Sequence, residues 1–311
     1  MRIYDHWQGI DPSHRGACAA MGNFDGVHLG HRHVIALAQG QTAGKAPLGI
    51  VTFEPHPRSY FTPDAPPFRL MNAEARANRL AKLGVEALFQ LPFDASLATL
   101  TPEAFVSQIL ADGLGLSHVV VGADFCFGKD RRGKTADLQR LCAEHGIGVT
   151  IADLVQSGGD EISSTQIRQA LAEGDTGKAK AMLGHWHRID GEVIHGEKRG
   201  RQLGYPTANM DVTGLHLPKS GVYAVFVDVL TGPQKGHYKG AANLGTRPMF
   251  GENLPNLETF LFDFKGDLYG QHLSIAFVAY LRGEEKFDGL EALITQMDAD
   301  CVKARHLLEQ A

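Results

Sequence analysis

The chain has 311 residues, enough for two domains that each bury a core, and its net charge of −5 argues against a protein built to neutralise nucleic-acid phosphates. Cys18, Cys126, Cys142 and Cys301 form no C-x-x-C pair, which excludes a disulfide framework or zinc knuckle and leaves reduced thiols as the expectation. The opening segment MRIYDHWQGIDPSHRG lacks the apolar stretch of a leader, and no later segment approaches the roughly 18 apolar residues of a membrane helix, so a soluble, cytoplasmic chain with no membrane partner is expected.

Short apolar runs at 17–22, 48–53, 87–91, 118–121 and 148–154 alternate with helical patterns, which predicts an α/β first half with a parallel sheet. The first run leads into GNFDGVHLGH, residues 22–31, and a helix is predicted over 31–39. Further helices are predicted from Asn72 to Gly84 and from Thr101-Pro102-Glu103, a cap, an N1 proline and an early acid. Another opens at Ser163-Ser164-Thr165 and closes at Gly174, after which Asp175-Thr176-Gly177-Lys178 reads as a polar break. From Gly191 onward, alternating segments such as 221–229 and 257–264 are separated by Gly/Pro turns, the pattern of a small antiparallel barrel, and a helix over about 288–309 ends the chain. The boundary near Gly184 gives two domains, 1–183 and 184–311.

A strand, a glycine-rich turn and a helix together aim backbone N–H groups and a helix dipole at a bound anion. Within the turn, His28-Leu29-Gly30-His31 sets two imidazoles three residues apart, so that both reach one phosphate and donate hydrogen bonds as charge builds on pentavalent phosphorus. Gly30 lets that phosphate approach the backbone. A plain glycine turn with capping or surface histidines is the alternative. Ser163–Arg168 adds hydroxyls at a helix start and an Arg one turn later, which suits the β- and γ-phosphates of ATP, although a simple N-cap with a solvated Arg fits as well.

The second dense motif is GRQLGYPTAN, residues 200–209. In an extended segment Thr207 and Asn209 point the same way, offering hard oxygen donors to one Mg²⁺–phosphate group; local backbone satisfaction is the plainer use of both. Strand alternation places Glu258 on a face with Phe260, Phe262 and Phe264, so it is either a solvated strand-end acid or a general base for an attacking hydroxyl. His185-Trp186-His187 falls short of a closed zinc shell.

Taken together, residues 22–31, TFEPHP at 52–57, GADFCFG at 122–128 with Arg131 and Gly133, and Ile162–Arg168 resemble the adenylyltransferase half of the bacterial bifunctional riboflavin kinase/FAD synthetase family. RQLGYPTANM, LPKSGVYAV, AANLGTRPMFG, LETFLFDFKGDLYGQ and FVAYLRGEEKFDGLEALITQMDADC are similar to its riboflavin kinase module, in unbroken order. The resemblance implies a Rossmann-like HxGH nucleotidylyltransferase domain followed by a six-stranded antiparallel barrel with a terminal helix. It implies that Gly22, Asn23, Phe24, His28 and His31 line an ATP site, that Ser164, Thr165 and Arg168 hold leaving pyrophosphate, and that Asp124, Phe125 and Arg131 border the flavin. In the barrel it implies Glu258 as base for the riboflavin 5′-hydroxyl, Thr207 and Asn209 on Mg²⁺ and phosphate, Gly196 and Gly200 shaping a nucleotide flap, and Arg282 with Phe287 near the flavin. Riboflavin, FMN and ATP are then the partners, Mg²⁺ the cofactor, nucleic acid is excluded, and self-association is weak at most. Cys126 stands where the family often has Arg, and Met249 where Thr is expected. Two other readings compete: an adenylyltransferase whose barrel only binds flavin, and a non-catalytic flavin- or nucleic-acid-binding regulator.

Overall fold

The computed structural model describes residues 1–311 except 154, 158–159, 197–203 and 250–251. Two compact units emerge, one of Met1–Pro66 with Arg76–Ile162 and the other of Pro67–Ala75 with Ser163–Ala311. The packing therefore divides after Ile162 and counts the next two helices with the barrel, whereas the pattern of the sequence puts the division at 183/184.

The first unit is built on a six-stranded parallel sheet: β1 (Arg2–Tyr4), β2 (Cys18–Met21), β3 (Leu48–Glu54), β4 (Ala87–Pro92), β5 (His118–Gly122) and β6 (Gly148–Ala152), in the order β1-β4-β3-β2-β5-β6. Every residue of β2 and the first six of β3 are buried, as expected of strands covered on both faces, which read as continuous apolar runs. The strand order runs one way through β3 and β4 and the other way through β5 and β6. The carboxyl ends of β2 and β5 thus flank a topological switch point, the usual binding crevice of an open α/β sheet. Strand β1 was not anticipated; of its three residues only Tyr4 is buried, too little for a periodic signal.

Local chemistry explains the helices. Helix α1 (Leu29–Gln41) starts two residues before the predicted His31, because His28 is its N-cap. The short α2 (Pro57–Phe61) follows, capped by His56. Asn72 Oδ1 accepts from the Ala75 N–H at 2.8 Å and opens α3 (Ala73–Ala81). After α4 (Ala95–Ala98), Thr101 caps α5 (Pro102–Ala104), which runs on as a π-helix over Phe105–Gly113 and buries Phe105, Val106, Ile109 and Leu110. Helix α6 (Thr135–Glu144) completes this unit.

In the second unit α7 (Ser164–Glu173) is capped by Ser163 and stopped by left-handed Gly174. The segment 175–178 is a correction: it is the cap and first turn of α8 (Thr176–Leu183). The Asp175 carboxylate accepts from the Lys178 N–H, and Thr176 Oγ1 donates to the Val278 carbonyl at 2.7 Å. Strands β7 (Gln156–Ser157) and β8 (Asp160–Glu161) form a minor pair in the first unit. Then β9 (Arg188–Ile194), β10 (Thr207–Asp211), β11 (Gly221–Val229), β12 (Gly236–Met249), β13 (Glu252–Leu261) and β14 (His272–Arg282) close an antiparallel barrel, in the order β10-β13-β12-β11-β14-β9. Met210, Tyr223, Val225, Leu257, Leu261 and Phe277 fill its interior. On the outside, Phe262, Ala224 and Val278 pack against Ala304 and Leu308 of the terminal helix (Leu290–Gln310), an apolar stripe meeting an apolar sheet face. All four cysteines are free thiols, and among the described residues no helix is long and apolar enough to cross a membrane.

Candidate active sites

The loop after β2 is held in an uncommon shape. Phe24 and Val27 take left-handed φ values of 52° and 43°, costly for side chains with a Cβ and worst for a β-branched one. At its end the His28 Nδ1 accepts the His31 backbone N–H at 3.3 Å, which leaves the neutral ring's proton on Nε2. The two imidazoles stack with centroids 3.6 Å apart, and the Phe24 ring lies 5.1 Å from that of His31. A Cβ at Gly30 would sit 3.1 Å from His28 Nδ1 and Cε1. The space Gly30 leaves is thus taken up by the imidazole, an addition to the expectation that it serves phosphate approach alone.

Burial sets the protonation of the pair. Desolvation lowers the His28 pKa to about 4; desolvation and then the neighbouring His28 push His31 well below the ordinary imidazole value. Both rings are therefore neutral near pH 7 and act as single N–H donors, not as cations. The His31 Nδ1 is buried with no hydrogen-bond partner among the described residues.

Across the switch point the β5 loop brings up Asp124 and Phe125. The Phe125 N–H donates to the Gly122 carbonyl at 3.1 Å, and the Phe125 and Phe127 rings lie parallel at 6.0 Å. Arg131 follows in a left-handed turn with Asp130 and is exposed. Cys126, beside them, has its thiol 3.2 Å from Lys134 Nζ. The sheet thus carries Gly22, Asn23, Phe24 and His28 on one loop, His31 in the first turn of the helix it leads into, and Asp124 and Phe125 on the neighbouring loop, after adjacent strands. Ser164, Thr165 and Arg168 belong to the second compact unit. There Arg168 donates to Thr165 Oγ1 at 3.1 Å and to the Phe68 carbonyl at 3.3 Å, so hydroxyl and guanidinium converge at the α7 start.

On the barrel, β10 and β13 pair so that Asn209 lies directly opposite Glu258 and Thr207 opposite Phe260. Thr207, Asn209 and Glu258 therefore share one face, the outer one, while Leu257, Thr259 and Leu261 turn inward. Asn256 Nδ2 donates to Glu258 Oε1 at 3.0 Å and to Asn209 Oδ1 at 3.3 Å, tying the carboxylate to the amide. Gly196, two residues past the end of β9, lies against Asn209: a Cβ there would sit 2.5 Å from Asn209 Nδ2. Gly200 lies outside the described residues. Phe264 departs from its predicted face, because β13 ends at Leu261 and Asp263 turns the chain with φ 58°, sending Phe264 against Tyr238. Arg282 holds Asp300 of the terminal helix through Nε and Nη2, at 3.0 and 2.8 Å, with its guanidinium 5.5 Å from the Phe287 ring.

A model of the FAD synthetase family matches residues 10–166, and a model of the riboflavin kinase family matches residues 183–308. A bifunctional riboflavin kinase/FMN adenylyltransferase of Pseudomonas fluorescens is 42% identical over 99% of this chain and 98% of its own. The chain belongs to the bifunctional riboflavin kinase/FMN adenylyltransferase family. The Escherichia coli K12 member of this family is 38% identical over 93% of the chain and 92% of its own, and that of Bacillus subtilis 37% over 90% and 89%. A solved structure titled a macrolide-efflux protein from Streptococcus pneumoniae superposes over 96% of both chains with a TM-score of 0.80 and 30% identity. Its title describes that protein and lends nothing to this one.

As a riboflavin kinase/FMN adenylyltransferase, the chain carries its FAD synthetase half on the parallel sheet and its flavokinase half on the barrel. Sequence reasoning passed over Arg76, Asn256 and Asp300. Asn256 had a legible signal, since it stands two residues before Glu258 on the same strand face; Arg76 and Asp300 had none, since their partners come from distant strands.

Proposed function

We propose that the two activities divide between two sets of residues: the loops after β2 and β5 with the α7 start adenylylate FMN, and the outer barrel face around Glu258 phosphorylates riboflavin. The domain ranges assigned to them are 1–183 and 184–311, in line with family matches that end at 166 and begin at 183. The observation that carries the kinase half is the Asn209–Asn256–Glu258 linkage, which turns an amide oxygen and a carboxylate toward the same side.

In phosphorylation the riboflavin 5′-hydroxyl oxygen attacks the γ-phosphorus of ATP, the β,γ-bridging P–O bond breaks, and ADP leaves while Glu258 takes the hydroxyl proton. Arg282 and Phe287 border the flavin, and Gly196 and Gly200 shape the nucleotide flap. Thr207 and Asn209 would hold Mg²⁺. Their donors are hard oxygens, which suit an ion that takes few protein ligands and shares the rest with phosphates. When bound, Mg²⁺ offsets phosphate charge.

In adenylylation an FMN phosphate oxygen attacks the α-phosphorus of ATP, the α,β-bridging bond breaks and pyrophosphate leaves, with no covalent enzyme intermediate. Gly22, Asn23, Phe24 and Gly30 form the nucleotide loop. Neutral His28 and His31 donate N–H groups to oxygens that gain charge, an electrostatic role that needs no imidazolium. Ser164, Thr165 and Arg168 hold the departing pyrophosphate, and Asp124, Phe125 and Arg131 border the flavin.

Riboflavin, FMN and ATP are the partners, with no role for nucleic acid or membrane on a chain of net charge −5, and self-association is weak at most. Four free thiols support a cytoplasmic setting. Chromatographic separation of FMN and FAD after incubation with riboflavin, ATP and Mg²⁺ tests the division. His31→Ala is expected to stop at FMN, and Glu258→Ala to make FAD only from supplied FMN. Loss of both products in either folded variant overturns the assignment.

A further inference from the structure

Arg76 has the largest fully buried side chain among the described residues, 1% exposed, and a guanidinium withdrawn from water is expensive unless it finds acceptors. Its Nη2 donates to Glu54 Oε2 and to Gln90 Oε1, both at 2.9 Å. Its Nη1 lies 3.4 Å from the Asn23 carbonyl and 3.5 Å from that of Phe53. Thr52, itself buried, donates its hydroxyl to the same Asn23 carbonyl at 3.2 Å. Two side chains from different elements, β3 and α3, thus reach one backbone oxygen of the loop after β2.

That oxygen stands next to the strained residue of the loop. Phe24 and Val27 are both left-handed, a conformation that springs back unless the surroundings over-determine it. Glu54 and Gln90 fix Arg76 from β3 and β4, and Arg76 with Thr52 fixes the carbonyl on which the turn into Phe24 pivots. We infer that Arg76 is a positioning residue for adenylyl transfer: with Thr52 it clamps the Asn23 carbonyl and so holds residues 22–31 in the shape that receives ATP. It touches no substrate. The inference rests on the reading that this loop binds the nucleotide.

The test is steady-state FAD formation from FMN with ATP varied, in Arg76→Met, Arg76→Lys and Thr52→Val, with riboflavin phosphorylation and a thermal melt measured on each. The shape of the loop serves bound ATP and transition state alike, so the loss falls on KM for ATP. Arg76→Met is expected to raise it about 10- to 100-fold, the scale of a charge-assisted hydrogen bond, with FMN formation from riboflavin unchanged. Arg76→Lys, which keeps the charge but not the fork, recovers part of the loss. Thr52→Val preserves shape and leaves Arg76 in place, so it gives a smaller rise in the same KM even if Arg76→Met fails to fold. An unchanged KM for ATP in Thr52→Val or in folded Arg76→Met overturns the clamp. His31→Asn separates the two ideas: if it leaves FAD formation intact, the nucleotide-loop reading fails; if it abolishes FAD formation while the clamp variants behave as wild type, only the role of Arg76 fails.

Discussion

Asn209 and Glu258 face each other across the β10/β13 pairing, and the Asn256 amide donates to both. In its proposed role of general base, Glu258 loses that role when its carboxylate is replaced by a neutral isostere, while the barrel keeps its shape. Glu258→Gln is expected to lower kcat of riboflavin phosphorylation about 10²- to 10⁴-fold, with FAD formation from supplied FMN at the wild-type rate. Coupled detection of ADP and of pyrophosphate reads the two reactions on one sample.

Gly30→Ala tests the histidine pair from the side. The new methyl would lie 3.1 Å from the His28 ring, so the imidazole has to move by a few tenths of an ångström out of its stack with His31. FAD formation is expected to fall about tenfold or more through kcat, because a positioning error of this size would weaken the N–H donors that the proposed mechanism aims at the transition state. A wild-type kcat in this variant would show that the stacked arrangement is not the one that works.

The buried His187 makes the second unit sensitive to acid. Burial, and then His185 and His216, lower its pKa to about 3 from 6.5, so the folded state carries fewer protons than the unfolded chain between those values. Its contribution to stability is complete above 6.5 and declines as pH falls toward 3, by about 1.4 kcal/mol per unit at most. Denaturant unfolding of His187→Phe between about pH 7 and 5 is expected to show a shallower acid decline than wild type. Equal slopes in the two proteins would refute this account.

The cysteines divide by reactivity. Burial raises Cys142 to about 12 and, with Asp300 and Asp298, Cys301 to about 11. At Cys126 slight burial opposes hydrogen bonds and charge from Lys134 and Arg131, and the net shift is downward. Iodoacetamide near neutral pH is expected to alkylate Cys126 before Cys142 or Cys301, as followed by peptide mass spectrometry, and Lys134→Met is expected to slow that labelling.

Removing the Phe262 side chain opens the contact between the barrel and its terminal helix. Phe262 is 4% exposed and packs with Ala304 and Leu308, so Phe262→Ala is expected to cost about 3–5 kcal/mol in the unfolding of this unit. Urea denaturation measures it.

The sequence by itself determined what depends on neighbours along the chain. Apolar runs at 48–53 and 118–121 marked central strands, Thr101 and Ser163 marked helix starts, Gly174 marked a stop, and alternation in 221–229 marked a barrel strand. The motifs that carry the family, from GNFDGVHLGH to PTAN, were legible for the same reason: their residues lie within one turn or one strand. Tertiary structure decided the rest. Thr176 ties the first turn of α8 to Val278, about a hundred residues away, and Phe264 packs against Tyr238 of a neighbouring strand. The neutrality of His28 and His31 required a core to desolvate them, and Arg76 met Asn23, Glu54 and Gln90 only after three strands and a helix had assembled. Burial, charge state and long-range hydrogen bonds are properties of the packed chain, and no local pattern encodes them.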